Sequence, residues 1–561
     1  MSDGDHPEAR AVRWPLIVGA VSILMLYSIA YFRTAWVSED AFITFRVVDN
    51  TLRGHGLTWN PGERVQVYTH PAWFALLVAA AGVFGEPYYC ALALGYGLTV
   101  LALAQVAATV ERWTAASALV LCSLLLSRAF IDYSSSGLEN PLTHALLGTY
   151  VWLWLRLPGD ARRTFALTLV ASGLFLSRPD AIVLIAPSLA GHLWEQRSTW
   201  RRHAGRLALG AAPAGLWLVF SLLYYGALAP NTALAKVGTG LGWQQHATQA
   251  WHYVHFTLTT DFATAALVLG AVAAGALGGP RLRPLAGGLV LWLAYLTYVG
   301  ADYMAGRFFS GPALLSSAVI AVAGSGAALS AVRWALGGAM LVNLGALSYT
   351  LLSPADYHRQ HISDAGIADE RGYYYQALGL VPSLTRKAWI VHPWLFEGNA
   401  LRSYPGWYAR CAIGMVGYSA GPEVRWVDPL ALTDPFLARL PSRANVRVGH
   451  YERAFPQGYL DSLLSGKNAI VDPGLAALYA DVDAATRAPL WGSRRIGAIY
   501  RLNTGHHARA SRGFEREAIG LPGVPVQTDS PLSCFGLAYG WDGSFRIEGP
   551  PARAVRIFLA P

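Results

Sequence analysis

Charged side chains are scarce in this sequence. Asp, Glu, Lys and Arg together make up 14% of its 561 residues, whereas 54% of the residues are hydrophobic. Such a chain is too apolar for a soluble enzyme and too long for a simple membrane anchor. We therefore expect a bundle of membrane helices together with a further domain.

Several common signatures are also missing. The sequence has no P-loop, no Rossmann glycine fingerprint, no zinc motif and no convincing Ser-His-Asp arrangement, which argues against nucleotide-sugar chemistry in the cytoplasm. Residues 14–33 form an apolar segment of about 20 residues without a small-residue cleavage site, so we expect a retained membrane helix rather than a signal peptide. No internal repeat and no low-complexity tract is present.

Cysteine is rare, with four residues in the whole chain. Cys90 and Cys122 fall within apolar segments, whereas Cys411 and Cys534 lie in the polar C-terminal third, which we place outside the cytoplasm. A disulfide can form there, so Cys411 and Cys534 are the candidate pair, and two separate thiols are the alternative.

The formal net charge is +9. Many arginines stand in short clusters between apolar segments, where the positive-inside rule places them, so membrane orientation explains the charge better than nucleic-acid binding does. The basic connections that we expect in the cytoplasm are the N-terminus with Arg10 and Arg13, and residues 156–163, 197–206 and 281–283.

Eleven apolar segments are candidate membrane spans. They are residues 14–33, 88–110, 114–132, 141–156, 164–177, 181–194, 206–226, 262–279, 285–300, 311–331 and 334–352. The basic connections all fall inside only if the short apolar run 71–84 does not cross, so we expect a juxtamembrane or re-entrant helix there. Eleven crossings from a cytoplasmic N-terminus put the C-terminus outside.

This topology divides the chain at residue 353. Residues 1–353 should form the transmembrane domain, with a long first outer loop at 34–87. Residues 354–561 should form a mixed α/β domain outside the membrane that ends in β structure, because short β-like stretches such as 552–559 alternate there with Gly/Pro turns. Aromatic residues near its end would either stack on sugars in a carbohydrate-binding module or, as aromatic residues more often do, pack in a core. They are Trp491, Tyr500, Phe535, Tyr539 and Trp541.

Two adjacent acids, Glu39 and Asp40, follow the first predicted span almost at once. Acids favour the first turn of a helix, so a solvated helix start is the simpler interpretation. The loop that follows is rich in turn formers and hydrogen-bonding side chains at 54–56, 60–63 and 68–71, as a loop that shapes a pocket would be. Paired acids also bind Ca²⁺ or Mg²⁺ through oxygen ligands, and a divalent cation is therefore a further alternative, although no spacing here is diagnostic.

Glycosyl transfer needs a carboxylate that takes a proton from the acceptor hydroxyl, and cations or helix N-termini that hold the leaving phosphate. Asp40 meets the first need. The cations predicted on the outer face for the second need are Arg46, Arg178, Lys236, Arg307 and Arg371. Contact with phospholipid headgroups or an internal ion pair is the alternative for each of them.

Further polar segments fall at the outer ends of predicted spans, at residues 136–141, 178–180, 224–236 and 300–307. In the second of these, Arg178 and Asp180 interrupt two apolar runs. A charged pair between spans is costly unless it faces a cavity or a partner, so a shared outer site is expected.

Nine short segments together resemble a known family. They are residues 39–46, 136–139, 178–180, 225–236 and 302–307 and, in the C-terminal third, 369–371, 417–422, 434–441 and 449–453. Each is weak alone, but their order from about residue 38 to 460 is fairly specific. With them the chain resembles the mycobacterial-type terminal β-(1→2)-arabinofuranosyltransferases of the GT-C fold, some of whose relatives are labelled flagellar motor control proteins.

The resemblance implies a GT-C membrane bundle with an extracytoplasmic domain in the bacterial inner membrane, multi-pass, with its active site on the periplasmic side. It implies transfer of D-arabinofuranose from decaprenyl-phospho-arabinose to an arabinan acceptor, such as arabinogalactan or lipoarabinomannan. Inversion by a single base and retention through a nucleophile or an internal return step are both open at this point.

The resemblance also assigns roles to residues. Asp40 would be the catalytic carboxylate with Glu39 beside it, although the family's paired aspartates appear here as Glu-Asp, which leaves the helper role of the first acid less defined. Donor phosphate or sugar binding falls to Arg46, His70, Glu139, Arg178, Asp180, Asn231, Lys236, Asp302, Arg307 and Arg371. Acceptor binding falls to Asp369, Glu370, His450 and Arg453.

Three alternatives remain beside this interpretation. The same machinery could use another polyprenyl-phosphate sugar or target, such as a mannosyl donor or a pilin. A lipid-linked sugar transporter would carry substrate groups near the midplane and often shows repeated halves, neither of which the sequence has. A structural role in the envelope or a motor would leave Asp40 dispensable.

Overall fold

The computed structural model describes residues 13–110, 114–237, 239, 241–323, 327–347, 362–386, 390–443, 449–514 and 545–546. Most of these residues are helical, as the sequence predicts. The chain forms two compact units, each built from separated stretches of sequence. The first comprises the described parts of Met1–Ser38, Ala91–Pro213 and Trp243–Ile390, and the second those of Glu39–Cys90, Ala214–Gly242 and Val391–Pro561.

Sixteen α-helices precede the described residues of the C-terminal third. They are α1 Arg13–Thr34, α2 Glu39–Leu52, α3 Pro71–Phe84, α4 Pro87–Thr109, α5 Ala115–Leu126, α6 Arg128–Asp132, α7 Asn140–Arg156, α8 Ala161–Ser177, α9 Ile182–Glu195, α10 Trp200–Tyr224, α11 Asn231–Val237, α12 Trp243–Thr260, α13 Phe262–Leu277, α14 Arg283–Val299, α15 Ser310–Ala323 and α16 Ala327–Leu347.

The remaining described residues contain both helices and strands. The elements are α17 Glu370–Leu378, α18 Leu380–Arg386, α19 Pro393–Leu401, β1 Gly406–Ala409, α20 Gly414–Ala420, β2 Val424–Val427, α21 Tyr459–Ser465, α22 Pro473–Arg487, α23 Ser493–Asn503, α24 Ala508–Gly513 and β3 Phe545–Arg546. The strands form one sheet in the order β2-β1-β3, with β1 parallel to β2 and antiparallel to β3. The strands of the described chain are therefore short. The strand expected at 552–559 lies outside the described residues.

Eight of the eleven segments predicted as spans each fall on one helix, and the short run at 71–84 is the separate helix α3. Residues 114–132 form two helices, α5 and α6. The segments 311–331 and 334–352 fall on α15 and α16 and include residues outside the described ones, 324–326 and 348–352. Two helical stretches of the described chain are long and apolar enough to cross a membrane, Pro87–Thr109 and Arg197–Tyr224, and a third arises if α12 and α13, bent by 109° at their junction, form one span. The chain is thus a membrane protein, while eleven crossings stay a prediction.

Close helix contacts in the first unit depend on small residues. Gly288 of α14 lies against α9 so tightly that a Cβ on it would stand 1.8 Å from the carbonyl oxygen of Leu184. Small residues are what allow membrane helices to approach in this way, because hydrocarbon offers no hydrophobic drive for their association.

The second unit has an apolar core of its own. Phe436, Tyr459, Leu478, Tyr479 and Val482 are buried in it. Around this core, α2 packs against α20, and α20 against α19. Residues 39–87, predicted as part of the membrane domain's outer loop, thus share a compact unit with the described residues from 391 onward.

Two side-chain predictions for the C-terminal third meet different outcomes. Core packing, the commoner role of aromatic residues, is wrong for Trp491 and Tyr500, which are 75% and 69% exposed. Phe535, Tyr539 and Trp541 lie outside the described residues. Cys411 is disulfide-bonded, Cys90 and Cys122 are free thiols, and Cys534 also lies outside the described residues.

Candidate active site

The acid pair forms the first turn of α2 in the second unit. The simpler interpretation of the sequence, a solvated helix start, is therefore right about the helix start. It is wrong about solvation for Glu39, which is buried with 8% of its surface exposed. The Glu39 carboxylate accepts a hydrogen bond of 3.2 Å from the backbone N–H of Met415 at the start of α20. Asp40, next to it, is partly exposed.

Burial above all, and then the negative charge of Asp40, raise the pKa of Glu39 to about 8, although the backbone N–H groups of Met415 and Gly414 act to lower it. A carboxylic acid with such a pKa carries a proton at neutral pH. Glu39 is therefore a protonated acid fixed to the backbone, which separates its role from that of Asp40.

Glycine is required at position 414 because of this contact. A Cβ there would stand 2.2 Å from the backbone oxygen of Glu39 and 2.6 Å from its Oε1. Neither distance is tolerable for real atoms, so a larger residue would displace the first turn of α2.

Arg46 lies six residues after Asp40 on α2 and is almost fully buried. Its guanidinium donates to the backbone oxygens of Trp59, Gly417, Gly421 and Val424, at 3.0 Å for Trp59 and Gly421 and 2.8 Å for Val424. This geometry joins α2 to both ends of the α20–β2 connection. It favours a positioning role for Arg46 over the predicted phosphate contact.

His70 and Asn231 are likewise held in the second unit. His70 Nε2 lies 3.0 Å from the hydroxyl of Thr44 on α2. The Asn231 amide donates to the backbone oxygens of Ala431 and Leu432, at 2.9 and 3.0 Å. Lys236, by contrast, is exposed.

Asn231 also lines an open cavity of about 350 Å³ in the second unit. Its lining includes the guanidinium groups of Arg64 and Arg439 and the amide of Gln66, and no carboxylate residue. Arg64 Nε is buried there without a hydrogen-bond partner. The cavity thus has two arginines in its lining. The sequence assigned no role to either of them, although Arg439 lies in the segment 434–441 that resembles the known family.

In the first unit, Glu139 holds two of the predicted cations together. Its carboxylate lies 3.5 Å from Arg178 Nη1 and 3.2 Å from Arg307 Nη2, and it is 1% exposed. Arg178 in turn donates to Asp180 at 2.9 Å, and Arg307 lies 3.9 Å from Asp302. Five of the residues assigned to donor binding are thus linked by charged contacts within the first unit.

The structure adds contacts around this group. The Arg178 guanidinium stacks on the ring of Phe308, 4.5 Å from its centroid. A guanidinium held both by carboxylates and by a ring face keeps its orientation, which is what binding of a phosphate in a fixed geometry needs.

A second charged group of the first unit contains Arg371 and Asp369. Arg371 Nε lies 2.7 Å from Asp132, and Asp369 accepts 2.8 Å from Arg128 while its other oxygen caps α17 at Gly372. Arg128 and Asp132 were not predicted from the sequence. The available signal was two opposite charges four residues apart inside a predicted span, a pairing that membrane segments rarely contain without a function.

The other residues assigned to the acceptor are placed as follows. The Glu370 carboxylate lies 3.5 Å from the hydroxyl of Ser38 in the first unit. Arg453 is fully buried in the second unit and donates to the backbone oxygens of Leu440, Tyr451 and Ala235. His450 is partly buried near it in the chain. The contacts of Arg453 favour a positioning role.

No group of three or more His, Cys, Asp or Glu side chains in the described part of the chain is arranged to hold a metal ion.

A partly exposed carboxylate beside a fixed acid, paired cations and a membrane-embedded chain are the parts that a glycosyltransferase of the membrane class uses. No family model matches the chain. It is 26% identical, over 79% of its own length and 85% of the relative's, to the terminal beta-(1->2)-arabinofuranosyltransferase of Mycobacterium tuberculosis (strain ATCC 25618 / H37Rv).

A second relative of the same name, from Corynebacterium glutamicum, is 24% identical over 92% of this chain and 88% of the relative. The resemblance stated from the nine segments is thereby confirmed. So is the class of enzyme that it implied, because both relatives are glycosyltransferases by name.

Proposed function

We propose that the chain transfers D-arabinofuranose from decaprenyl-phospho-arabinose to the ends of arabinan in the cell envelope, from a GT-C membrane bundle whose active site faces the periplasm. The observation that carries the proposal is the similarity, over 79% and 92% of the chain, to two relatives that bear one and the same functional name.

In this proposal Asp40 is the catalytic carboxylate. It takes the proton of the attacking acceptor hydroxyl while the bond between the sugar C1 and the phosphate oxygen of the donor breaks. Polyprenyl phosphate leaves with the bonding electrons. Asp40 suits the role better than Glu39, because Glu39 is buried and already protonated at neutral pH.

Glu39 acts as a positioning residue. Its contact with the Met415 N–H fixes the first turn of α2, and its protonated state keeps a second negative charge away from Asp40. Two ionised carboxylates side by side would repel each other and hold back the ionisation of Asp40.

The leaving phosphate is assigned to Arg178 and Arg307. Glu139 holds the two guanidinium groups together, so they present a fixed pair of cations rather than two independent side chains. Preorganised donors of this kind stabilise developing charge without reorganising during the reaction.

The test is a transfer assay with the purified full chain in nanodiscs. Polyprenyl-phospho-arabinose and polyprenyl-phospho-mannose are supplied separately with an arabinan oligosaccharide, and products are analysed by mass spectrometry and linkage analysis. We expect turnover with the arabinose donor only. Turnover with mannose alone would refute the sugar assignment and leave the glycosyltransferase class intact.

Asp40→Asn provides the mechanistic test in the same assay. We expect it to lower kcat by about 100-fold or more, since general base catalysis contributes on the order of 10² to 10⁴ in rate. Asp49→Asn, a substitution of a partly exposed acid on the same helix, is the matched control and should leave the rate unchanged. Full activity of Asp40→Asn would refute the proposed role.

A further inference from the structure

Four exposed apolar side chains of the second unit lie on α23 or just before it. Leu490, Trp491, Ile496 and Tyr500 are all exposed, Trp491 and Tyr500 most of all. Ile496 and Tyr500 are four residues apart and share one face of the helix. We call these four side chains the α23 patch. Exposed apolar side chains close together in the sequence, with two large aromatic rings among them, are typical of an interaction surface.

The opposite face of α23 is fixed to the end of α10. Arg495 is buried and donates to the backbone oxygens of Leu223 and Tyr224, at 2.8 and 2.9 Å, which are among the last carbonyls of that helix. Asn503 donates to the oxygen of Gly226 at 2.9 Å. These bonds satisfy carbonyl groups that the end of any helix leaves without intrahelical partners.

The end of α10 defines a depth in the membrane. The stretch Arg197–Tyr224 is long and apolar enough to span, and little of it is buried by protein. Its side chains Leu216, Val219 and Leu223 are exposed, as lipid-facing residues of a span are. Its last turn must therefore lie near the membrane surface, and α23, bonded to that turn, lies there as well.

The composition of α23 fits that depth. Trp and Tyr concentrate at the boundary between hydrocarbon and headgroups, where an amphipathic ring meets both environments. The helix carries Arg494, Arg495 and Arg501 and no acidic residue, and Arg494 is exposed. Apolar and aromatic residues on one face with arginines beside them are typical of helices that lie in the membrane interface.

We propose that α23 is an interfacial helix, which inserts the α23 patch into the headgroup region of a phospholipid bilayer and holds the second unit on the membrane at the end of α10. The patch lies on and just before the helix that is bonded to the end of the span, so lipid is the occupant that its position selects. The proposal is independent of which sugar the enzyme transfers.

The test measures the depth of single spin labels in the full chain. Cys90 and Cys122 are replaced by Ala, and a nitroxide is attached after Ile496→Cys, Tyr500→Cys or Lys467→Cys, the last in an exposed polar turn of the same unit. Each protein is placed in nanodiscs of phosphatidylcholine and phosphatidylglycerol. Collisions with O₂, which partitions into lipid, and with a water-soluble nickel chelate are measured by power saturation.

We expect the ratio of O₂ to nickel collisions to be several-fold higher at 496 and 500 than at 467. Adding Ile496→Lys to the Tyr500→Cys protein should lower the ratio at 500, and because residue 496 is exposed the fold should survive. Equal, water-like ratios at all three positions would overturn the proposal. So would protection of the labels by an arabinan oligosaccharide, or spin–spin broadening that indicates a second copy of the chain.

Discussion

The proton on Glu39 decides how the acid pair works. Sequence alone could single out Glu39 and Asp40, because two acids directly after a membrane span are conspicuous. It could not tell which acid is buried, because the residues that enclose Glu39 are far away in the chain. They are Gly414 and Met415, and Met415 is 376 residues from Glu39. The buried positions of Arg46 and Arg453 were hidden for the same reason.

Glu39→Gln tests the protonation state through stability. The folded-state pKa of about 8 lies above the ordinary value of 4.5, so folding favours the protonated form. This contribution is fully present below pH 4.5 and is lost as the pH rises through about 8, by an amount on the order of a few kcal/mol. Gln cannot ionise and should remove the decline.

The measurement is thermal unfolding in detergent at pH 5 and pH 8.5. Wild-type protein should lose more stability between the two values than the Gln variant does. Identical pH dependence of the two proteins would contradict a buried, protonated Glu39.

Glu139→Gln tests the ion-pair group of the first unit. It leaves the guanidinium groups of Arg178 and Arg307 without their shared counter-charge, and breaking a buried pair costs on the order of 3–5 kcal/mol. We expect a clear fall in the midpoint of thermal unfolding. Asp49→Asn, which breaks an exposed pair with Arg53, should have almost no effect and serves as the control.

Helices were the most predictable elements, because long apolar runs specify them directly. Eight of the predicted spans each fall on one helix, and α3 has the limits at which its apolar run begins and ends. The sequence did not predict α12, which is more polar, so hydropathy does not reveal it. Residues 459–513 hold four helices, which short β-like stretches between glycines and prolines did not suggest.

The contact between α9 and α14 depends on the absence of a side chain at Gly288. Gly288→Ala places a methyl group against the Leu184 carbonyl and should force the helices apart, at a cost of about 1–3 kcal/mol. Gly97→Ala, in α4, has nothing within 4 Å of the new Cβ and should be neutral or slightly stabilising. Thermal unfolding of both variants decides, and equal midpoints would contradict the close approach.

At the scale of the whole molecule, the compact units do not follow the order of the sequence. A boundary at residue 353 is a natural prediction from hydropathy, but compactness groups residues 39–90 and 214–242 with the described C-terminal residues, and 362–390 with the first unit. Contacts between segments so far apart in the chain leave no local trace in composition. The eleven crossings and the orientation remain predictions for the same reason.

Orientation can be measured in intact cells with a membrane-impermeant maleimide. Arginines 201 and 202 precede the membrane-spanning part of α10 and should be cytoplasmic, whereas Lys467 should be periplasmic. We therefore expect labelling of Lys467→Cys and none of Arg201→Cys until the cells are opened. The reverse pattern would place the acid pair on the cytoplasmic side and contradict the use of a periplasmic acceptor.

The bond between Glu39 and Met415 also has a consequence for biogenesis. At a synthesis rate of about 5–20 residues per second, the ribosome needs roughly 20–75 s after Glu39 to make its partner. Throughout that interval the first turn of α2 lacks its enclosure, and the second unit exists only as unjoined pieces. Any chain that stops before residue 415 is therefore incomplete at the acid pair itself.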